Sequence, residues 1–220
     1  MLNIAIDGHV GSGKSTLAGE LAKILHLKML NTGEIYRSIA CSYKESKMEI
    51  DEESVKKFVE NLKIEIIFNE NQQIVFVNGK NYKDFLRTEE ISMLTSKISP
   101  FPIIREKVLK LQRNFAEKYD CVMEGRDIGT VVLPNADFKF FVTATEQVRA
   151  QRRYDQLKNK KDAPTFEQIL EDLRQRDYND EHRKIAPLKP AKDSIILDTS
   201  NMTLDQTVKY CCQIIKSAQK

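Results

Sequence analysis

The chain has 220 residues, 41% hydrophobic and 30% charged, enough to bury one substantial core with a small insertion. Its 35 basic and 32 acidic residues leave a formal net charge of +3, too balanced to bind nucleic acid or a membrane surface by bulk electrostatics, so neither is an expected partner. No apolar run approaches the ~18 residues of a membrane span and no signal-peptide pattern is present, so a cytoplasmic monomer is the expectation.

In chain order, the apolar run Leu2 to Ile6 reads as a strand, and Lys14 to Leu25 reads as a helix with Leu17, Leu21, Ala22, Ile24 and Leu25 at helical spacing. Ile64 to Phe68 and Ile74 to Val77, joined through Asn69 to Gln72 and closed by Asn78-Gly79, read as an inserted antiparallel hairpin. Cys121 to Met123, Phe138 to Val142 and Ser194 to Leu197 carry further strand character, with helical patterns between and after them. Thr165-x-x-Gln168 is a capping box opening a helix through about Asp180, and Thr203-x-x-Gln206 opens the last helix. Such alternation predicts an α/β fold, a parallel sheet covered by helices on both faces. Lys158 to Lys161 reads as a solvated helix end. Cys41, Cys121, Cys211 and Cys212 have no metal-ligand spacing and read as small apolar residues.

Between the first strand and helix lies IDGHVGSGKST, Ile6 to Thr16, in which Gly8-x-x-x-x-Gly13-Lys14-Ser15 matches GxxxxGK[ST]. Glycines there let backbone N–H groups face phosphate oxygens, the helix N-terminus adds its positive end, and the lysine reaches the β and γ phosphates. With glycine at ~7% of residues, a chance match in a chain this long is about one in a hundred, and the flanking strand and helix are both present. The loop therefore predicts ATP binding through Gly8, His9, Val10, Gly11, Ser12, Gly13, Lys14, Ser15 and Thr16, with Ser15 on Mg²⁺. The acceptor has to be sought among arginines, because planar guanidinium groups stabilise charge on a moving phosphoryl group.

Four segments supply them: NTGEIYR (Asn31 to Arg37), SKISPFPIIR (Ser96 to Arg105), MEGRDIGTVVLPNADFKFF (Met123 to Phe141) and RQRDYNDEHRKIAPL (Arg174 to Leu188). Together with the phosphate loop they resemble bacterial cytidylate kinases, collinearly from Ile4 to about Thr199. The resemblance implies a P-loop NTPase three-layer fold with an inserted nucleoside-monophosphate-binding domain and a helical lid. The implied bounds are a core of about 1–61, 89–148 and 180–220, an insert of about 62–88 and a lid of about 149–179. It implies phosphorylation of CMP and dCMP by ATP, with Thr32, Gly33, Tyr36 and Arg37 at the acceptor nucleotide and Arg37 on its phosphate. Ser96, Arg105 and Asp127 would read the base, Arg126 and Arg176 would join Arg37 on phosphate, Asp180 would take the ribose, and Arg183 would lie between the nucleotides. Lys14, Arg126, Arg176 and Arg183 are the implied catalytic residues, and Arg152 and Arg153, with Arg149, resemble the lid that closes over ATP.

Chemistry on its own favours cytosine, whose amino donor and ring acceptors complement a carboxylate paired with an arginine, here Asp127 and Arg105. A kinase of another small acceptor, such as UMP or AMP, and a nucleotide-sensing protein without turnover are the alternatives. Asp180, four residues after Arg176, has an i,i+4 ion pair as its competing use, and Glu124 either orients Mg²⁺-bound water or caps a strand end. Arg176 and Arg183, seven apart, are predicted on one face of one helix. The chain departs from the family at His9-Val10, where family members generally carry Pro-x, so a freer loop entrance is expected. Asn31 and Glu34 depart as well, from an aspartate and a small residue.

Overall fold

The computed structural model describes residues 1–69, 72–159 and 163–218; residues 70 and 71 of the expected hairpin turn and residues 160 and 161 of the lysine run lie outside the described residues. The elements run β1 (Asn3–Gly8), α1 (Lys14–Ile24), β2 (Lys28–Asn31), α2 (Thr32–Ser46), α3 (Glu52–Glu60), β3 (Ile64–Asn69), β4 (Gln72–Val77) and β5 (Lys80–Asn81). After them come α4 (Glu89–Ile98), α5 (Pro102–Ala116), β6 (Cys121–Gly125), β7 (Phe138–Thr143), α6 (Glu146–Leu157), α7 (Phe166–His182), β8 (Ile195–Asp198) and α8 (Leu204–Ala218). No helix among the described residues is long and apolar enough to cross a membrane.

Strands β2, β6, β1, β7 and β8 lie side by side in that order, every neighbouring pair parallel. Because strand side chains alternate, β1 sends Ile4 and Ile6 to one face and Ala5 and Asp7 to the other. On the first face Ile4, Ile6, Val122 and Val142 pack against Leu17 and Leu21 of α1 and Cys211 and Ile215 of α8. On the second, Ala5, Leu30 and Met123 meet Ile35 and Ile39 of α2 and Ile104 and Val108 of α5. Strand order reverses around β1, so the crevice beyond its carboxyl end is where an open α/β sheet places its ligand.

The antiparallel insert is a three-stranded sheet, β3-β4-β5, one strand more than the hairpin read from the sequence. Asn78 and Gly79, with φ of 51° and 78°, make the turn from β4 into β5, the left-handed pair a two-residue hairpin loop requires. The insert does not stand apart: Val75, Val77, Tyr82 and Leu86 share one buried cluster with α2, α3 and α5. Both capping boxes are formed, Thr165 with Gln168 and Thr203 with Gln206. Strand β2, four residues with polar ends, is too short to announce itself by periodicity. Burial pushes the thiols of Cys121 and Cys211 up to about 12, which suits apolar core residues and not nucleophiles.

Candidate active site

The chain leaves β1 at Gly8, whose φ is 152° and where a Cβ would stand 2.0 Å from the Val142 carbonyl oxygen, so no side chain fits there. Gly13, at φ 90°, occupies the N-cap of α1 without any side-chain cap. The first N–H groups of α1 therefore have no side-chain acceptor, and its positive end stays open to an anion. Lys14 Nζ donates to the His9 carbonyl at 3.1 Å. Burial, and next to it Arg126, push the Lys14 ammonium down to about 7. Ser15 Oγ donates to Glu124 Oε1 at 2.7 Å, and that carboxylate is buried at the end of β6. A hydroxyl beside a carboxylate is an all-oxygen set that fits Mg²⁺, a cation that keeps several of its own waters and shares the rest with phosphate.

The His9-Val10 pair, where a freer entrance is expected, is tied to its surroundings by side-chain contacts. His9 Nε2 and Glu181 Oε1 of α7 are hydrogen-bonded at 2.8 Å, and the His9 ring meets Phe141 edge-on with centroids 5.6 Å apart. Val10 packs on Ala150, Ile169 and Leu173, and its carbonyl accepts from Arg149 Nη1 at 3.0 Å. Side-chain contacts to α6 and α7 thus do what a proline ring would do by fixing φ. The Val10 N–H points at Asp177 Oδ1, 3.4 Å away, and so not into the cradle.

Beyond the loop, Arg37 of α2 and Arg126 following β6 face Lys14, and Arg176 of α7 faces both of those arginines. Burial, then Arg126 and Arg37, lower the Arg176 guanidinium to about 10, and burial and Arg126 lower Arg37 in turn. Two acidic groups answer this crowd. Glu124 is held by Ser15, and Asp180 accepts from Arg126 Nε at 2.6 Å. Burial works against the Asp180 charge, but Arg126, with Arg183 and Arg176, holds that carboxyl below its usual range. The i,i+4 use of Asp180 is not what the fold adopts, since its ion-pair partner is Arg126. A crowd of largely buried cations favours an anion among them, and phosphate is the anion that planar guanidinium groups match.

At the far end of the crevice Asp127 is buried between two guanidinium groups, Arg105 of α5 and Arg183, whose Nη2 stands 3.0 Å from Asp127 Oδ1. Tyr36 lies in the same field, its hydroxyl pushed up to about 12 by burial. Arg183 corrects the helical-face reading: α7 ends at His182, Arg183 is extended at φ −64° and ψ 140°, and its Nε donates to the Ala186 carbonyl at 2.5 Å. It therefore reaches Asp127 from outside the helix that carries Arg176. Thr32 Oγ1 donates to the Glu124 carbonyl at 2.9 Å, tying α2 to β6. A Cβ on Gly33 would approach Asn31 Oδ1 to 3.2 Å, and that oxygen caps α2 by accepting from Glu34 N. Ser96 is not drawn into the Asp127 pair, because its hydroxyl donates to the Ser92 carbonyl within α4.

The cytidylate kinase family model matches residues 4–217 of the chain. A protein named cytidylate kinase from Clostridium botulinum (strain Loch Maree / Type A3) is 42% identical over 216 residues, 98% of each chain. The chain belongs to the cytidylate kinase family. A second family member so named, from Halalkalibacterium halodurans, is 37% identical over 216 residues, 98% of this chain and 97% of its own. Among solved structures, that of an uncharacterized protein from Eubacterium ventriosum aligns over 99% of both chains with a TM-score of 0.54 at 13% identity, a likeness of fold. Membership makes the chain a phosphotransferase of the P-loop kinase type.

The three arginines expected at a lid divide. Arg149 is buried, pairs with Asp177 of α7, and donates to the carbonyls of Ala144 and Val10, so it is a structural joint and not an ATP ligand. Arg152 donates to the Thr199 carbonyl at 2.7 Å and hydroxyl at 3.1 Å, at the edge of the cradle, whereas Arg153 reaches only Gln156, at 3.4 Å, among the described residues. Breaking the Arg149 pair leaves Asp177 buried and uncompensated, at a typical cost of about 3–5 kcal/mol. Arg149→Met is accordingly expected to lower the thermal midpoint by about 10 °C in a melting scan. Sequence reasoning also missed Asp7, a buried carboxylate that accepts from the N–H groups of Ile128 and Gly129, both at 2.7 Å. Burial pushes its carboxyl up to about 6. Its one signal in the sequence is a charged residue inside an otherwise apolar strand.

Proposed function

We propose that this family member transfers the γ-phosphoryl group of ATP to CMP or dCMP, giving ADP and CDP or dCDP. The observation that carries this reading is the buried Asp127–Arg105 pair standing in the same crevice as Lys14, Arg37, Arg126 and Arg176. The loop from Gly8 to Thr16 holds the donor phosphates, with Lys14 on the β and γ oxygens and Arg152 and Arg153 closing from the lid. Ser15 and Glu124 would hold Mg²⁺, which would supply neutralisation of phosphate charge. Arg37, Arg126 and Arg176 take the acceptor phosphate and the charge that develops on the moving group. Asp180 exchanges part of its pairing with Arg126 for the ribose hydroxyls, and Arg183 spans the two nucleotides. Thr32, Gly33, Tyr36 and Ser96 line the acceptor side. The insert near 62–88 and the lid near 149–179 belong to the parts that close, shutting out water that would otherwise take the phosphoryl group. Little covalent chemistry is asked of the protein; alignment and charge stabilisation supply the acceleration.

Cytosine presents an amino donor to the Asp127 carboxylate, while uracil presents an oxygen there. Leaving that buried acceptor unpaired typically costs about 1–3 kcal/mol, so UMP is expected to be used about 5- to 150-fold less well. An ADP-release assay with CMP, dCMP, UMP and AMP as acceptors tests this. Equal rates with CMP and UMP would defeat the base-recognition argument.

A further inference from the structure

The turn that follows Asp127 is a single π-turn, Ile128–Val132, in which Val132 N donates to the Asp127 carbonyl at 3.1 Å and Leu133 N to the Ile128 carbonyl at 2.7 Å. Asp127 stands at its N-cap position, where an aspartate ordinarily turns its carboxylate back onto the first free N–H groups. Here it does not: Asp127 makes no cap bond, and its carboxylate faces Arg105 and Arg183. The first two N–H groups of the turn are taken by Asp7, whose two oxygens accept one each, from Ile128 and from Gly129, the nearer of the two donors an N-cap side chain ordinarily uses, both at 2.7 Å. Asp7 comes from β1, one residue before Gly8, on the sheet face that looks toward the acceptor side. None of the steps assigned above to the donor loop or the arginines uses this carboxylate.

We propose that Asp7 is a positioning residue for base recognition: from the strand that carries the phosphate loop it caps the turn behind Asp127 in place of Asp127 itself, leaving that carboxylate free to face the acceptor base. The fit is close on the far side as well, since a Cβ added to Gly129 would lie 3.4 Å from Asp7 Oδ2 and 3.3 Å from Lys139 Cδ. The arrangement also sets the distance between the two nucleotides' anchors, because Asp7 and Gly8 are consecutive residues of one strand.

This inference rests on the reading of Asp127 as the base reader, and the test separates the two. In Asp7→Asn an amide N–H₂ replaces one acceptor, Ile128 or Gly129 loses its partner, and the Asp127 carboxylate becomes the nearest substitute. The ratio of kcat/KM for CMP over UMP is expected to fall ~10-fold while KM for ATP stays within about twofold, because Gly8 remains held by its own strand pairing. In the Asp127→Asn background, Asp7→Asn is expected to change that ratio no further, as for two residues acting in series. An unchanged ratio in Asp7→Asn, or a full second loss in the double variant, overturns the proposal. Should Asp7→Asn fail to fold, Asp7→Glu keeps the charge but displaces both acceptor oxygens by a methylene; it too is expected to lower the ratio, and a preserved ratio there overturns the proposal. A wild-type enzyme that uses UMP as well as CMP would instead sink the base-reading argument, leaving the capping geometry without that purpose.

Discussion

Replacing Lys14 by alanine is expected to abolish transfer without harming the fold. An electrostatic group aimed at charge that develops in the transition state is worth about 10²- to 10³-fold in kcat. Among the described residues the other cations near it are Arg37 and Arg126, which face it from the side of α2 and β6, and Arg152, held at the loop's rim by Thr199, so none occupies its place in the loop. The fold survives for a reason visible in the electrostatics. Burial and Arg126 bring its ammonium from 10.5 down to about 7, and its protein hydrogen bond goes to a single carbonyl, that of His9. A lysine whose folded pKa lies below its unfolded one costs stability as pH falls from 10.5 through 7, and the cost is fully present below 7. Removing the side chain therefore leaves the thermal midpoint at pH 7 unchanged or raised. ADP release together with a melting scan checks both halves. More than a tenth of the wild-type rate in Lys14→Ala would count against the cradle, and a collapsed midpoint would count against the account of its burial.

What the sequence made legible were features carried by contiguous residues. The Gly8 to Ser15 spacing, the capping boxes at Thr165 and Thr203 and the paired runs Ile64 to Phe68 and Ile74 to Val77 each encode their geometry in neighbouring residues, and the boxes and the strand pairing are formed. Features that depend on residues distant in the chain were not readable that way. Arg149 lies in a basic helix and looks like a lid residue until Asp177, on the next helix, buries its charge. His9 looks like a lost proline until Glu181 is brought to it across the sheet from α7. Arg183 was placed on a helical face because its spacing from Arg176 fits two turns, yet the helix stops one residue earlier. For Arg149 and His9 the local pattern is ambiguous and a long-range partner decides it; for Arg183 it is the point at which the helix stops. Asn31 shows the same logic in reverse: a departure from the family pattern proves to be a competent N-cap for α2, with its own backbone further bonded to Gln73 of the insert.

Asp127→Asn is expected to cost CMP about 10²-fold in kcat/KM, some 2.7 kcal/mol of transition-state stabilisation, while UMP loses less, so that the preference for CMP narrows to near parity. Asparagine is the substitution to make. Both alanine and asparagine take away the charge shared by Arg105 and Arg183, a defect that typically costs about 3–5 kcal/mol when a buried pair is broken, so a melting scan accompanies the kinetics; alanine in addition leaves a cavity and no acceptor at all. Asparagine keeps the shape and one acceptor oxygen for a guanidinium, and offers an amide donor where the carboxylate offered a second acceptor. That donor opposes the cytosine amino group and matches the uracil oxygen, which is why the two acceptors respond differently. The cradle is outside this exchange, for Asp127 touches neither Lys14 nor Ser15, so KM for ATP is expected to stay within about twofold. ADP release with both acceptors across an ATP series measures all three quantities. If the CMP preference survived intact in Asp127→Asn, Asp127 would be a structural counter-ion for Arg105 and Arg183, and base selection would have to come from the walls around Tyr36.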